Sequence, residues 1–261
     1  MRSIRNVKYV RQSGNATVVD APNWEYIYTT STVKDPDWNL GDRVVLPDGR
    51  EFHYSKATSA ILCEKACQFD SLGGIGWVAP AAAAAIGDTS VSLAAATHSA
   101  FTEDELAGGY ALFFVSGNVQ VRGIIGNSAS ASGLAITIYL DGPLTTALTT
   151  SHAAEVYINP YGALDQTDAS ARGKAGVAAV KTASGAYFWC QTSGPCFINP
   201  QSTVTGKEGT GCFFRQDGSL DSADVTFDGS GTIPADNTTQ YAGHVIHGTQ
   251  DGNGPLFMLR G

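Results

Sequence analysis

Along most of this chain apolar and polar residues alternate over short runs, the period of two that belongs to strands half-buried in a sheet. Glu51, Phe52, His53 and Tyr54 do so plainly. Comparable runs recur at residues 90–94, 110–115, 119–125, 134–140, 155–158, 176–180, 186–191, 196–198, 211–215, 224–227, 244–247 and 255–259. Between them stand Gly117-Asn118, Asp141-Gly142-Pro143, Asn159-Pro160, Asp217-Gly218, Asp228-Gly229 and a glycine-rich stretch over 251–255, residues that turn a chain. Many short strands with frequent turns predict a mainly β protein built as one or two barrel or sandwich units. The clearest hairpin joins 43–46 to 51–54 through Pro47-Asp48-Gly49, where Asp-Gly supplies the positive φ of a tight turn. A second paired unit is expected over 173–198. There Tyr187 and Trp189 should share one face of a strand with Phe188 on the other, and Thr192-Ser193-Gly194-Pro195 should turn the chain into the next strand.

Two stretches depart from alternation. Residues 58–69 carry helix formers with Ile61, Leu62, Ala66 and Phe69 near one face, which predicts the longest helix of the chain. Thr102 and Glu105 have capping-box spacing and predict a second, short helix. Residues 1–35 show little periodicity beyond Trp24–Tyr28 and are expected to form an extended N-terminal arm. A polar, weakly periodic texture over 159–171 marks a boundary, giving a β-rich domain with short helices over 36–165 and a second β-rich unit over 166–261.

Charge sharpens the view of the arm. The chain carries −8 overall, which argues against general nucleic-acid binding, yet residues 1–19 hold Arg2, Arg5, Lys8 and Arg11 and no acidic side chain. Arginine and aromatic residues together anchor interfaces, so Arg2, Arg5, Lys8 and Arg11 with Trp24, Tyr26 and Tyr28 are the expected assembly contacts. No apolar run approaches the ~20 residues of a membrane span, and the N-terminal residues lack the apolar stretch of a signal peptide. No membrane partner is expected, and the protein should remain where it is made. Its cysteines, five in number, are then expected to be free and packed.

Catalytic constellations were sought at the spacings that hold reacting groups together. The chain has no nucleophile elbow, P-loop, His-Glu-x-x-His or dinucleotide fingerprint, and no cofactor is implied. Cys63 and Cys67 would lie one helical turn apart, a spacing for half a metal site, but packing is favoured because no second Cys/His pair completes a zinc set. Cys190 and Cys196 would face each other across a hairpin, as packed thiols rather than a disulfide or a reactive centre. His244 and His247 should point to opposite faces of a strand, and Asp217, Asp221 and Asp224 should form a solvated turn rather than a Ca²⁺ loop.

Three segments carry a likeness: 173–181 (GKAGVAAVK) with 186–198 (AYFWCQTSGPCFI), 38–54 (WNLGDRVVLPDGREFHY), and 140–148 (LDGPLTTAL) running on to 155–161 (EVYINPY). In these the chain resembles a loosely defined group of virion structural proteins of tailed phages of aquatic bacteria, encoded near the major capsid gene. The resemblance implies a non-enzymatic protein, made in the host cytoplasm and carried on the capsid exterior, where it decorates or cements the head shell. Its partners would be the major capsid protein and further copies of itself, as a homotrimer. Two other readings stand beside this one: a tail, fibre or receptor-binding component with a carbohydrate-binding β domain, and a cysteine-dependent hydrolase centred on Cys190 or Cys196. Aromatic residues exposed at loop tips would favour the former, and a histidine in reach of a thiol the latter.

Overall fold

In a computed structural model, residues 9–13, 15–19, 24–70, 73–166, 172–200, 208–222, 240–248 and 255–260 are described, the strands within 9–19 by their backbone. The protein is mainly β. Its strands are β1 (Tyr9–Ser13), β2 (Asn15–Val19), β3 (Arg43–Val45), β4 (Glu51–Lys56), β5 (Ala66–Phe69), β6 (Gly74–Val78), β7 (Ser90–Leu93), β8 (Tyr110–Val115) and β9 (Asn118–Asn127). They continue as β10 (Ile136–Leu140), β11 (Ala153–Tyr157), β12 (Leu164–Gln166), β13 (Lys174–Ala178), β14 (Tyr187–Phe197), β15 (Gly211–Phe214), β16 (Leu220–Ser222), β17 (Gln240–His247) and β18 (Leu256–Leu259). Two single-turn 3₁₀ segments, Trp24–Tyr28 and Pro160–Gly162, are the helical elements among the described residues.

The strands fall into two compact units. One comprises residues 1–70 and 163–261, the other residues 71–162. This division differs from a boundary at 165/166. The return of the chain at Ala163 lies within the polar texture read from the sequence, but its departure after Asp70 has no compositional mark.

In the first unit the strand order runs β16-β15-β17-β18-β14-β4-β3-β1-β2, with β13 also on β14, and β5 joining β13 to β12. The predicted hairpin is present: Val44 lies opposite Phe52, and the Leu46 N–H donates to Arg50 O across Gly49, whose φ is +86°. Alternation then sends Val44, Phe52, Tyr54 and Trp189 to one buried cluster with Ile27, Trp38 and Leu46. Trp189 is its centre, 1% exposed, with its ring edge-on to Trp38 at 4.8 Å and tilted on Tyr54 at 5.3 Å. A second cluster gathers Ile198, Cys212, Phe214, Leu220, Phe257 and Leu259 from the strands beyond β14. Lys174 of β13 is buried, its ammonium donating to Gln68 Oε1 and Gln216 O.

The structure corrects three local expectations. Residues 187–197 form one continuous strand, with no hairpin between Cys190 and Cys196. The turn-forming residues make a bulge: pairing to β4 shifts between Gln191 and Ser193, Gly194 takes φ +91°, and residues 194–197 then pair with β18. Gln191 Nε2 donates to Ser193 O and Pro195 O, serving carbonyls that the broken ladder leaves behind. Residues 58–69 form no helix. Their backbone donors go elsewhere, Ile61 N to Thr182 O and Leu62 N to Gln166 Oε1, and β5 is paired on both sides, so ladders override a weak helical preference. At residues 102–105 a turn replaces the helix. Glu105 Oε2 accepts from both the N–H and the hydroxyl of Thr102, while Asp104 stands at φ +58°, outside helical geometry. The arm, where described, is structured: β1 pairs with β2 and touches β3 through Gln12 opposite Arg43.

The second unit is a sheet of order β6-β11-β8-β9-β10-β7. It curls until its edges meet, since the chain just beyond β6 pairs with β7 through Ala81 N to Ser92 O and Ala94 N to Ala79 O. Ile75, Val91, Leu93, Phe113, Ile124, Ile138 and Leu140 fill the inside with loop residues Leu106, Leu144 and Leu148. Two buried amides bind those loops. Gln120 Oε1 accepts from the N–H groups of Thr145 and Thr146, and Asn127 Oδ1 accepts from Leu106 N while its Nδ2 donates to Thr102 O.

Candidate functional site

Of the expected assembly contacts, Trp24, Tyr26 and Tyr28 share one 3₁₀ segment. Arg2, Arg5 and Lys8 lie outside the described residues, Arg11 stands on β1 opposite Thr17, and Trp24 opens a 3₁₀ turn. Tyr26 turns inward: its ring packs edge-on to Trp189 and its hydroxyl donates to Asp35, which with burial pushes the phenol well above its usual range. Tyr28 is more exposed and accepts from the Arg50 guanidinium at 2.6 Å.

The thiols occupy other positions than hairpin and helix would give. Cys63 is exposed in a turn, while Cys67 on β5 meets Cys190 on β14, Sγ to Sγ 3.4 Å, across Gly176 of β13. Cys196 packs with Cys212 in the second cluster. Burial raises the thiols of Cys190 and Cys196 far above their ordinary range and pushes Cys212 up to about 12. The carboxylates of the 215–222 turn are locally engaged: Asp217 accepts from the Ser219 N–H and hydroxyl and pairs with Lys65, and Asp221 accepts from Arg215. Asp224 lies outside the described residues. His247 Nδ1 stands 3.9 Å from Glu208, and His244 lies opposite Met258 in the β17–β18 ladder. Among the described residues no three His, Cys, Asp or Glu side chains group as metal ligands.

A different feature stands out on the 71–162 unit. In β8 the buried positions are Ala111, Phe113 and Val115, yet the outward positions are Tyr110, Leu112 and Phe114. Their β9 partners are Gly123, Val121 and Val119. Val121 and Ile125 are 53% and 63% exposed, and Tyr139 of β10 is exposed beside them, opposite Gly126. The outward positions of these two strands carry no charged side chain of their own, although the Asp141 carboxylate lies over Gly123 and that of Asp104 over Gly126. The sequence held the signal, because residues 110–115 (YALFFV) have no polar alternate, and a strand apolar on both faces is one whose two faces are covered.

At the turn end of the same hairpin lies a cleft of about 650 Å³. Ser116 and Gly117 both take positive φ, the two-residue turn that suits strand twist, and place Ser116 on the cleft wall. Trp77 of β6, 68% exposed, stands with its ring 4.9 Å from that of Phe114, and Thr150, Ser151 and His152 also line the cleft. The Thr149 N–H donates to His152 Nδ1 at 3.1 Å, which leaves Nε2–H as the donor of the neutral ring. Comparisons of the chain with protein-family models, curated proteins and solved structures gave no match.

Proposed function

We propose that the protein is a non-enzymatic virion structural protein that decorates and cements the capsid exterior, seating on the major capsid protein through the outward face of β8, β9 and β10. The observation that carries this reading is the set of exposed apolar side chains Tyr110, Val119, Val121, Ile125 and Tyr139, with Leu112 half-buried among them, on one face of neighbouring strands. Such patches on a folded protein mark interaction surfaces. Burial of Cys190 and Cys196, with their thiolates disfavoured, weighs against a cysteine-dependent hydrolase, which needs an ionised and accessible thiol.

Cementing acts by mass action. A protein that binds the assembled shell and not its separated parts stabilises each site by ~2.7 kcal/mol at a free concentration ~100 times its dissociation constant. A homotrimer is the proposed form, since closed symmetry is the usual arrangement of identical chains. Replacing Val121 and Ile125 together by Glu should leave the β circular-dichroism spectrum intact, because both side chains already face water, while abolishing occupancy on purified capsids. Undiminished occupancy would remove the band from the interface. Sedimentation of the free protein at three times the chain mass is the outcome expected for the trimer.

A further inference from the structure

We infer that the cleft lined by Trp77 and residues 150–152 binds a neutral sugar, its ring stacked on the face of Trp77 that Phe114 leaves free and its hydroxyls met by Ser116, Ser151 and His152. This goes beyond the capsid-docking reading: the cleft adjoins the β8 face through Phe114, opposite Val119, while Trp77, Ser116, Ser151 and His152 lie outside the docking band.

A pyranose has C–H groups on its faces and hydroxyls around its rim, so its binding site needs an aromatic surface beside short-reach donors and acceptors. The cleft supplies both. Trp77 is a large apolar side chain left 68% exposed, and its tilted contact with Phe114 holds the indole in place rather than leaving it free to collapse. Three hydroxyls line the same cleft, those of Ser116, Thr150 and Ser151, each able to donate and to accept, together with the His152 Nε2–H. The Thr149 and Ser151 hydroxyls lie 2.8 Å apart, which orders that part of the lining. The volume, about 650 Å³, suits one or two sugar rings.

The lining also selects against other ligands. It contains no Lys, Arg, Asp or Glu, so a phosphate, sulfate or carboxylate would find no counter-charge, and a metal no carboxylate. A nucleotide could stack its base but would leave its phosphate unmet. Proline-rich peptides dock between parallel aromatic ridges. Here the two rings pack on each other, tilted and 4.9 Å apart, and leave no groove between them.

The test uses the full chain and a panel of maltohexaose, cellohexaose, mannohexaose and chitohexaose, with a sulfated oligosaccharide and hexaproline as contrasts, read by calorimetry and tryptophan emission. Expected is saturable binding of at least one neutral oligosaccharide, with at least about tenfold weaker binding in Trp77→Ala. His152→Ala, which should keep its fold because the ring lies on the rim, should weaken binding several-fold. The Val121→Glu/Ile125→Glu protein should bind sugar normally, so failure of capsid docking and failure of sugar binding are read separately. Absence of binding by all four neutral sugars overturns the inference. So does binding unchanged in Trp77→Ala, or binding of hexaproline or the sulfated sugar alone.

Discussion

Thiol chemistry in this protein is set by burial. Cys67, Cys190, Cys196 and Cys212 are inside and Cys63 outside, so a disulfide-exchange reagent should titrate Cys63 rapidly in the native protein and the other thiols only as it unfolds. Fast modification of further thiols in the folded state would contradict that placement. Asp217 reports on acid stability. Its partial burial acts to raise the carboxyl, but the two hydrogen bonds from Ser219 and the charge of Lys65 outweigh it and hold the group below its ordinary value. A lowered folded-state pKa gives stability that is present above the unfolded value and lost as pH falls through the folded one. Asp217→Asn should therefore lower the thermal midpoint at neutral pH, and the gap to the parent should close below about pH 4. A gap constant with pH would assign the effect to packing. Free, packed thiols are what the sequence predicts and four of the five are so, but the exposure of Cys63 and the approach of Cys67 to Cys190 are not legible there, since the latter two meet only because β5 and β14 flank β13.

Among elements, β14 shows how far pattern reading goes. Its apolar run, the burial of Trp189 and the packing of Tyr187 with Trp189 follow from alternation, and the 43–54 hairpin follows from its turn. The bulge does not, because Thr-Ser-Gly-Pro serves a two-strand turn and a bulge equally well, and the choice depends on which strands lie alongside. Here β4 and β18 take successive halves of one strand. Gly194 is the pivot: a Cβ there would sit 2.7 Å from the Arg50 Cα at a φ that L-residues avoid. Gly194→Ala should cost on the order of 1–3 kcal/mol, seen as a lower denaturant midpoint. An unchanged midpoint would mean that the bulge can slide. The 58–69 helix failed for the complementary reason, that helical preference is weak against a strand position paired on both sides. The Trp77 cleft was illegible because it joins one residue of β6 to the β8–β9 turn and to the chain before β11.

For the molecule as a whole, the decisive feature is that the first unit is interrupted by the second. Asp70 N donates to Ala163 O, so the chain leaves and re-enters at adjacent points. This fixes an order of events during synthesis. Tyr54 cannot find Trp189, nor β5 its partners β12 and β13, until the whole of residues 71–162 has left the ribosome. The interior unit has all its strand partners within itself and can close first, which inverts the usual precedence of N-terminal segments. Nascent chains arrested near residue 200, with β11 clear of the exit tunnel and β14 still inside it, should already protect β8 and β9 from proteolysis while residues 43–56 remain cleavable. In that interval the hairpin of β3 and β4 waits with Phe52 and Tyr54 unshielded, so slow elongation before β14 emerges should raise aggregation more than slow elongation over the last residues of the chain.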